Sequence, residues 1–401
     1  MLRAFFRSGR LYIIYILLLF FFTACAGGYV ARTRGARHSF ERGDFSSALR
    51  WYEKQKPPAR DKLLYLLDQG LILHTAGRFE ESIKVFASAI DLSEEMEGSH
   101  VVSKTTSVVT NDNYIPYQGE KFELLLLHVF QVLNYLELGQ EGEALVEVRR
   151  IDTKFPDFEN AFATYLSGLT WESQNKINDA YIDYKTTYRI QPHFPPLLQK
   201  LVSGANYLGF TNDMNHWKKL AHHSYQTAPV KNGEVVFVIA EGKIPEKESS
   251  EENYNLQVVP VPHYPKSLGE PIRVSISTKG ETTESYPLYR LDEAAKKTLK
   301  DQMPGIIARA ITRLAAKEAG AVVVGKEVDE DLGVLIGILV LTTNRADLRS
   351  WLTLPRSLQV AQLSLPEGTY DLTLTWPGGA HTLHQVEVKA RHKKFISYRI
   401  F

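Results

Sequence analysis

A self-similarity with a period of 34 residues constrains this chain more than anything else in it. Gly43, Phe45, Ala48 and Tyr52 recur as Gly77, Phe79, Ser82 and Phe86. A unit of that length is too short to bury an apolar face alone, so it gains a core only by stacking on its neighbours. Each unit reads as two helices. A small residue on the first helix, a turn glycine, and then a small residue and an aromatic on the second let the pair interlock. Gly70, Gly77, Ser82, Phe86 and Ala89 fill those places in one unit. Tyr135, Gly139, Ala144 and Val148 fill them in another. Gly168, Trp171, Ala180, Tyr184 and Pro192 make a third, with proline where the unit should stop. Pro196 to Tyr225 predicts a weaker last pair.

The period and the small–aromatic pattern are those of a tetratricopeptide repeat. The register jumps by 28 residues between the second and third units, across an insertion at 92–121. Its Val and Tyr residues need a surface to pack on. The expectation is an ordered loop against the concave side of a solenoid, with a plain surface excursion as the alternative.

From Gly233 the periodicity changes. Val235 to Ile239 reads as a buried strand, and Ile272, Val274 and Ile276 alternate like a half-exposed one. The charged stretch from Lys243 to Asn255 reads as a mobile loop. Asp292 opens a helical run that Pro304 should kink or divide. Leu332 to Leu341 is apolar but too short to span a bilayer, and reads as a buried core element. The turns Pro366-Glu-Gly368 and Trp376-Pro-Gly-Gly379 separate strands near the end. The fold class is therefore α+β. An all-α tetratricopeptide-type solenoid over 25–228 precedes a mixed α/β domain over 229–401 with an antiparallel, sandwich-like sheet.

The first 24 residues have the layout of an export signal. Arg3, Arg7 and Arg10 precede an apolar run from Leu11 to Phe22, short of the ~20 residues that cross hydrocarbon. Thr23-Ala24-Cys25-Ala26-Gly27-Gly28 follows and resembles the bacterial lipobox, although Phe22 stands where that pattern prefers leucine. The resemblance implies diacylglycerol (and further acyl chains such as palmitate) on the Cys25 thiol and cleavage before it. Ala26, in place of aspartate, implies the outer membrane facing the periplasm, with the inner membrane as the alternative. Cys25 is the only cysteine, so no disulfide framework is possible. Three of the 47 Lys and Arg precede Cys25 and none of the 46 Asp and Glu does, which leaves a net charge of −2 from Cys25 onward. Such a balance argues against nucleic acid, which needs a concentrated cationic face.

Several phrases occur together in order. They are Thr110-Asn111-Asp112, Tyr117-Gln-Gly-Glu120-Lys-Phe-Glu123, Leu133-Asn134-Tyr135-Leu136, Ala144-Leu-Val-Glu147-Val-Arg149-Arg150, Ala163-Thr-Tyr165-Leu-Ser-Gly168, Asp179-Ala-Tyr-Ile-Asp-Tyr184, Ala346-Asp347-Leu-Arg349-Ser350-Trp351 and Leu354-Pro355. As a set they resemble an uncharacterised family of tetratricopeptide-repeat-containing lipoproteins of Gram-negative bacteria. The resemblance implies architecture and location but no activity.

The sequence offers little chemistry. It has no Gly-x-Ser-x-Gly, no His-Glu-x-x-His, no Walker loop and no dinucleotide fingerprint. His216, His222 and His223 read as surface histidines, with zinc as the alternative. Asp347, Arg349 and Trp351 read as a buried ion pair closing the domain, with a polar pocket as the alternative. No catalytic residue, metal or cofactor is expected. Binding remains. On the repeat template His74, Glu137, Tyr165 and Glu172 face the groove, and Asn111, Asp112 and Glu120 of the insertion share it. The leading reading is an adaptor that holds a protein partner of the cell envelope in that groove, in cell-wall or outer-membrane assembly. A structural subunit of a secretion or envelope complex is the alternative. An enzyme with a site in the C-terminal domain near Arg349 comes third.

Overall fold

The computed structural model describes residues 28–98, 113, 115–221, 232–254, 257–265, 269–327 and 345–401. Cys25 and the export signal, Asn111 and Asp112, His222 and His223, and the apolar run 332–341 lie outside the described residues.

The helical half is a series of antiparallel pairs. These are α1 (Tyr29–Glu41) with α2 (Phe45–Lys54), α3 (Lys62–Thr75) with α4 (Phe79–Gly98), α5 (Lys121–Glu137) with α6 (Glu141–Lys154), α7 (Ala161–Ser173) with α8 (Ile177–Ile190), and α9 (Pro195–Tyr207) with α10 (Thr211–Ala221). The 34-residue period reappears between the starts of α7 and α9. Helix α4 runs to Gly98, six residues past the point where the insertion was expected to begin.

The small residues do what the pattern requires. A Cβ built on Gly168 would lie 2.5 Å from the Tyr184 ring, and Gly70 meets Phe86 in the same way. The aromatic knob of each second helix therefore sits on bare backbone of the first, an approach that alanine would block. The turns between paired helices need a left-handed residue. Gly77 (φ 73°) and Gly139 (φ 67°) supply it, and Asn175 (φ 56°) takes that place between α7 and α8.

The C-terminal half forms two four-stranded sheets and a separate hairpin among the described residues. The first sheet has the order β10 (Lys393–Ile400), β1 (Gly233–Glu241), β7 (Ser357–Leu365), β6 (Tyr286–Arg290). The second has the order β5 (Glu281–Glu284), β4 (Ser275–Thr278), β8 (Gly368–Trp376), β9 (Gly379–Val388). Val235, Phe237, Ala361 and Leu363 of the first interleave with Ile276, Leu372 and Leu374 of the second, a sandwich core.

Two details differ from expectation, and a third settles between alternatives. The first sheet is mixed, because β10 runs parallel to β1, pairing Glu234 with Lys393 and Glu241 with Ile400. Strand β9 ends beside Gly233, whose missing Cβ makes room for the Lys389 carbonyl, so the chain re-enters the sheet at the start of β1 and follows its direction. The charged stretch expected as a loop contains strand β2 (Glu248–Tyr254), paired antiparallel with β3 (Gln257–His263). Pro304 does not begin a second helix, since one helix, α11 (Leu291–Glu327), runs through it. Its Ala310 and Leu314 pack on Val259 and Val261 of that hairpin.

The two halves share one core. Trp351, Leu354, Leu358, Val360 and Phe395 are buried in the same cluster as Leu67, Phe86, Phe130 and Phe162 of the helices.

Candidate functional site

The face that a tetratricopeptide-type array offers to a ligand is lined by the first helix of each pair, here α1, α3, α5, α7 and α9. In this molecule the chain's own C-terminal half lies on that face. Strand β10 packs on α3 and α5, and β6 packs on α7. An irregular segment, residues 345–356, crosses α3 and α5.

That segment is held like a peptide in a groove. Trp351 is fully buried, its indole meeting Phe86 and Phe130 edge-on with centroids 5.9 Å away in each case. Its backbone N–H donates to Glu123 Oε1 (2.7 Å). Two residues on, the Thr353 N–H and hydroxyl both donate to Asp68 Oδ1, at 3.2 and 2.8 Å. Asp68 also accepts the hydroxyls of Tyr29 and Tyr52. Arg349 donates to both carboxylate oxygens of Asp347 (2.7–3.1 Å), to Asp61 Oδ1 (3.3 Å) and to the Arg60 and Ile115 carbonyls. Its guanidinium stands 5.5 Å from the centre of the Tyr117 ring. Lys247 pairs with Glu120 and donates to the Arg349 carbonyl. The ion pair read from Asp347 and Arg349 is therefore present, with Arg349 buried and Asp347 half-buried, and the buried Asp61 of the helical half completes it.

A second cluster joins the halves at α9. Lys200 and Lys393 alternate with Glu172 and Glu234. Lys200 lies 3.0 Å from Glu172 and 2.8 Å from Glu234, and Lys393 lies 3.2 and 3.0 Å from the same carboxylates. Burial pushes the Glu172 carboxyl up, but the two ammonium groups outweigh it and bring it down to about 2. Glu234 is lowered by the same pair.

The residues expected to face a partner now have addresses. His74 is turned inward, with Nδ1 2.7 Å from Asn134 Oδ1 and its ring edge-on to Phe79 and Phe130. Asn134 spends its NH2 on Ser82 Oγ, so its oxygen faces the imidazole and Nδ1–H is the donor. Burial holds this imidazole down at about 4, hence neutral at pH 7. Glu137 accepts the Ser397 N–H of β10. Tyr165 is fully buried, edge-on to Phe194 at 4.8 Å. Glu172 and Glu120 sit in the ion pairs above. All five described groove residues are thus covered, four of them by contacts within the protein's own interface or helical core and Glu120 by Lys247. Glu123, Asp68, Asp61, Lys200 and Lys393 carry as much of the site and were not picked out from the sequence.

Three carboxyls in this interface, Asp68, Glu123 and Glu137, are pushed up, chiefly by burial. Burial, with the neighbouring Glu120 charge, raises Glu123 to about 7, against hydrogen bonds from Tyr117 and the backbone N–H groups of Glu120 and Trp351. Burial also raises Glu137 to about 7. A carboxyl whose folded pKa lies above its unfolded value, ~4.5, leaves the fold less stable as pH rises through the interval between them. For Glu137 this amounts to at most about 3 kcal/mol lost between pH 4.5 and 8. Glu137→Gln keeps an oxygen for the Ser397 N–H. It should therefore leave stability unchanged at pH 4.5 and raise it at pH 8. Equal urea midpoints for the two proteins at pH 8 would refute this.

Among the described residues no group of three or more His, Cys, Asp or Glu could hold a metal ion. His216 lies against the Trp217 ring, 4.7 Å between centroids. Among the described residues no helix is long and apolar enough to cross a membrane.

No family model matches the chain, and no curated protein matches it. Solved structures are similar over about half of it. A structure titled "Crystal structure of MamA" is 17% identical, with 46% of this chain and 91% of that one covered at a TM-score of 0.35. "MamA RS-1 ArsTM double mutant" is 15% identical over 49% of this chain and 93% of that one, at 0.36. "MamA 41-end from Desulfovibrio magneticus RS-1" is 14% identical over 50% and 99%, at 0.35. Similarity at this level carries no argument about function.

Proposed function

We propose that this chain is a membrane-tethered scaffold of the bacterial envelope, facing the periplasm and engaging protein partners. The observation that carries the reading is the shared core. Paired helices and β-sandwich are locked by buried ion pairs and a buried tryptophan into one rigid body suited to fixing partners in space. The tether rests on the lipobox-like sequence. Helix α1 starts at Tyr29, four residues after Cys25, so an acylated cysteine would hold the array directly against the bilayer. Two acyl chains suffice for stable anchoring.

The filled inner face shifts the partner surface outward, onto the second helices. Val146 of α6 and Ile182 of α8 are the sixth residues of successive second helices and stand 47% and 50% exposed. The scaffold reading assigns the chain no reaction of its own. A stoichiometric subunit of a secretion or envelope complex is the second reading, and the same rigidity favours it.

The test uses the intact protein in cells. Wild type should fractionate with membranes and carry acyl chains on its N-terminal peptide by mass spectrometry, and Cys25→Ser should do neither. A photocrosslinking residue at Val146 or Ile182 should capture a discrete partner, and one at the buried Leu126 should capture none. A fixed partner ratio on co-purification would select the structural subunit. An unlipidated protein, or an outer face without a crosslink, would overturn the scaffold.

A further inference from the structure

Charge is unevenly placed along this chain. Between Cys25 and Lys62 it carries nine Lys and Arg against four Asp and Glu, whereas positions 63–401 carry 35 against 42. The basic share falls on α1, α2 and the connection to α3, the terminal pair of the array.

Burial sorts these side chains. Helix α1 turns Tyr29, Thr33, Ala36, Arg37 and Phe40 inward. Its opposite stripe, at the i, i+4 spacing of one helix face, is Arg34, His38 and Arg42, all exposed and with no carboxylate among them. Arg50, Lys54, Lys56 and Lys62 are exposed on α2 and the connection. Two of the four acidic groups are already paired with other cations. Asp61 is buried between Arg32 and Arg349, and Glu41 pairs with Lys243 at 2.9 Å. Arg34, Arg42, Lys54, Lys56 and Lys62 make no ion pair among the described residues. Cations held in water on one end of the molecule are a surface for a polyanion.

The position of this pair selects the polyanion. Helix α1 starts four residues after Cys25, and four extended residues reach no farther than ~14 Å. Arg34 and Arg42 are then separated by ~12 Å of helix axis. An acyl chain on Cys25 therefore brings the basic pair against the headgroup layer, and one acyl chain with a basic surface is a pairing that anchors stably. We propose that the first helical pair docks on an anionic lipid surface and so fixes how the array stands on its membrane. The choice of lipid over another polyanion rests on the tether reading, whereas the charge asymmetry is independent of it.

The test is co-sedimentation of the mature chain, 25–401, carrying Cys25→Ser so that no acyl chain contributes. The vesicles are phosphatidylcholine alone or mixed with phosphatidylglycerol. Binding is expected to the anionic vesicles only. It should vanish as salt rises from ~0.1 to ~1 M, where the screening length shortens from ~10 to ~3 Å. A basic side chain brought to an anionic surface is worth about a fivefold gain in partitioning. Arg34→Gln with Arg42→Gln should therefore weaken binding at least about tenfold, and Lys54→Gln with Lys56→Gln likewise, with thermal midpoints unchanged. Lys84→Gln with Lys219→Gln removes two exposed cations from α4 and α10 and should leave binding as it was. Equal binding to neutral vesicles, none to anionic ones at low salt, or the same loss from the control pair would overturn the proposal. A DNA duplex that displaces the protein from the vesicles at equal phosphate concentration would reassign the face to nucleic acid. Failure of the tether reading looks different. Wild type without acyl chains in cells, beside a Cys25→Ser chain that still binds the vesicles, would remove the tether and keep the docking face.

Discussion

Trp351→Ala is expected to cost about 3–5 kcal/mol of stability, among the largest losses any single substitution should cause here. The indole fills the gap between Phe86 and Phe130 and is completely buried. Its removal leaves a cavity in the core shared by both halves. It also loosens the segment whose backbone N–H groups satisfy the buried carboxylates of Glu123 and Asp68, and an unsatisfied buried acceptor adds to the cost. Urea unfolding followed by far-UV circular dichroism checks this. A shift below about 1 kcal/mol would mean that the surrounding side chains collapse onto the gap, and that the indole is not the anchor.

Lys393→Met should cost about 2–3 kcal/mol at pH 7. A fully buried pair that loses one partner typically costs ~3–5, but Glu172 and Glu234 keep 25% and 21% of their side-chain surface in water. The substitution leaves two carboxylates sharing the single ammonium of Lys200. The pH profile carries the sharper signature. Glu172 titrates at about 2 in the folded state, below its unfolded value, so its stabilisation is complete above ~4.5 and is lost as pH falls toward 2. In Lys393→Met that loss should be smaller, because Glu172 titrates nearer its ordinary value. Thermal midpoints between pH 2 and 7 would show whether the two curves converge in acid. Parallel curves would exclude the four-charge cluster as the source.

Much of the helical half is legible in the residues themselves. Gly70 beneath Phe86 and Gly168 beneath Tyr184 are local relations within one repeat, and period and residue size suffice to predict them. The ion pair of Asp347 with Arg349 spans two residues and is legible for the same reason. Its completion by Asp61 joins positions 288 apart, and no local pattern encodes that. The parallel place of β10 is hidden likewise, since alternation tells which face a strand buries but not which strand lies beside it.

The covered inner face did leave a trace in the sequence. Helix α3 buries Leu63, Leu64, Leu67, Leu71 and Ile72, and α5 buries every residue from Leu125 to Asn134. Helices apolar on all sides are enclosed on all sides, whereas those lining an open groove keep a polar stripe. Reading His74, Glu137, Tyr165 and Glu172 one by one against a template gave each a direction, but the leucines around them already required a cover.

Strand β10 covers helices α3 and α5 and is translated more than 250 residues after both. Until the sandwich has followed, the helical pairs can close on themselves, but their leucine-rich side has nothing to rest on. Native pairing between such distant segments is slow compared with hairpin closure. Between the emergence of α5 and that of β10, the nascent chain exposes a sticky surface that the finished molecule hides, and a chaperone able to shield it would raise the yield of folded protein without touching the native state.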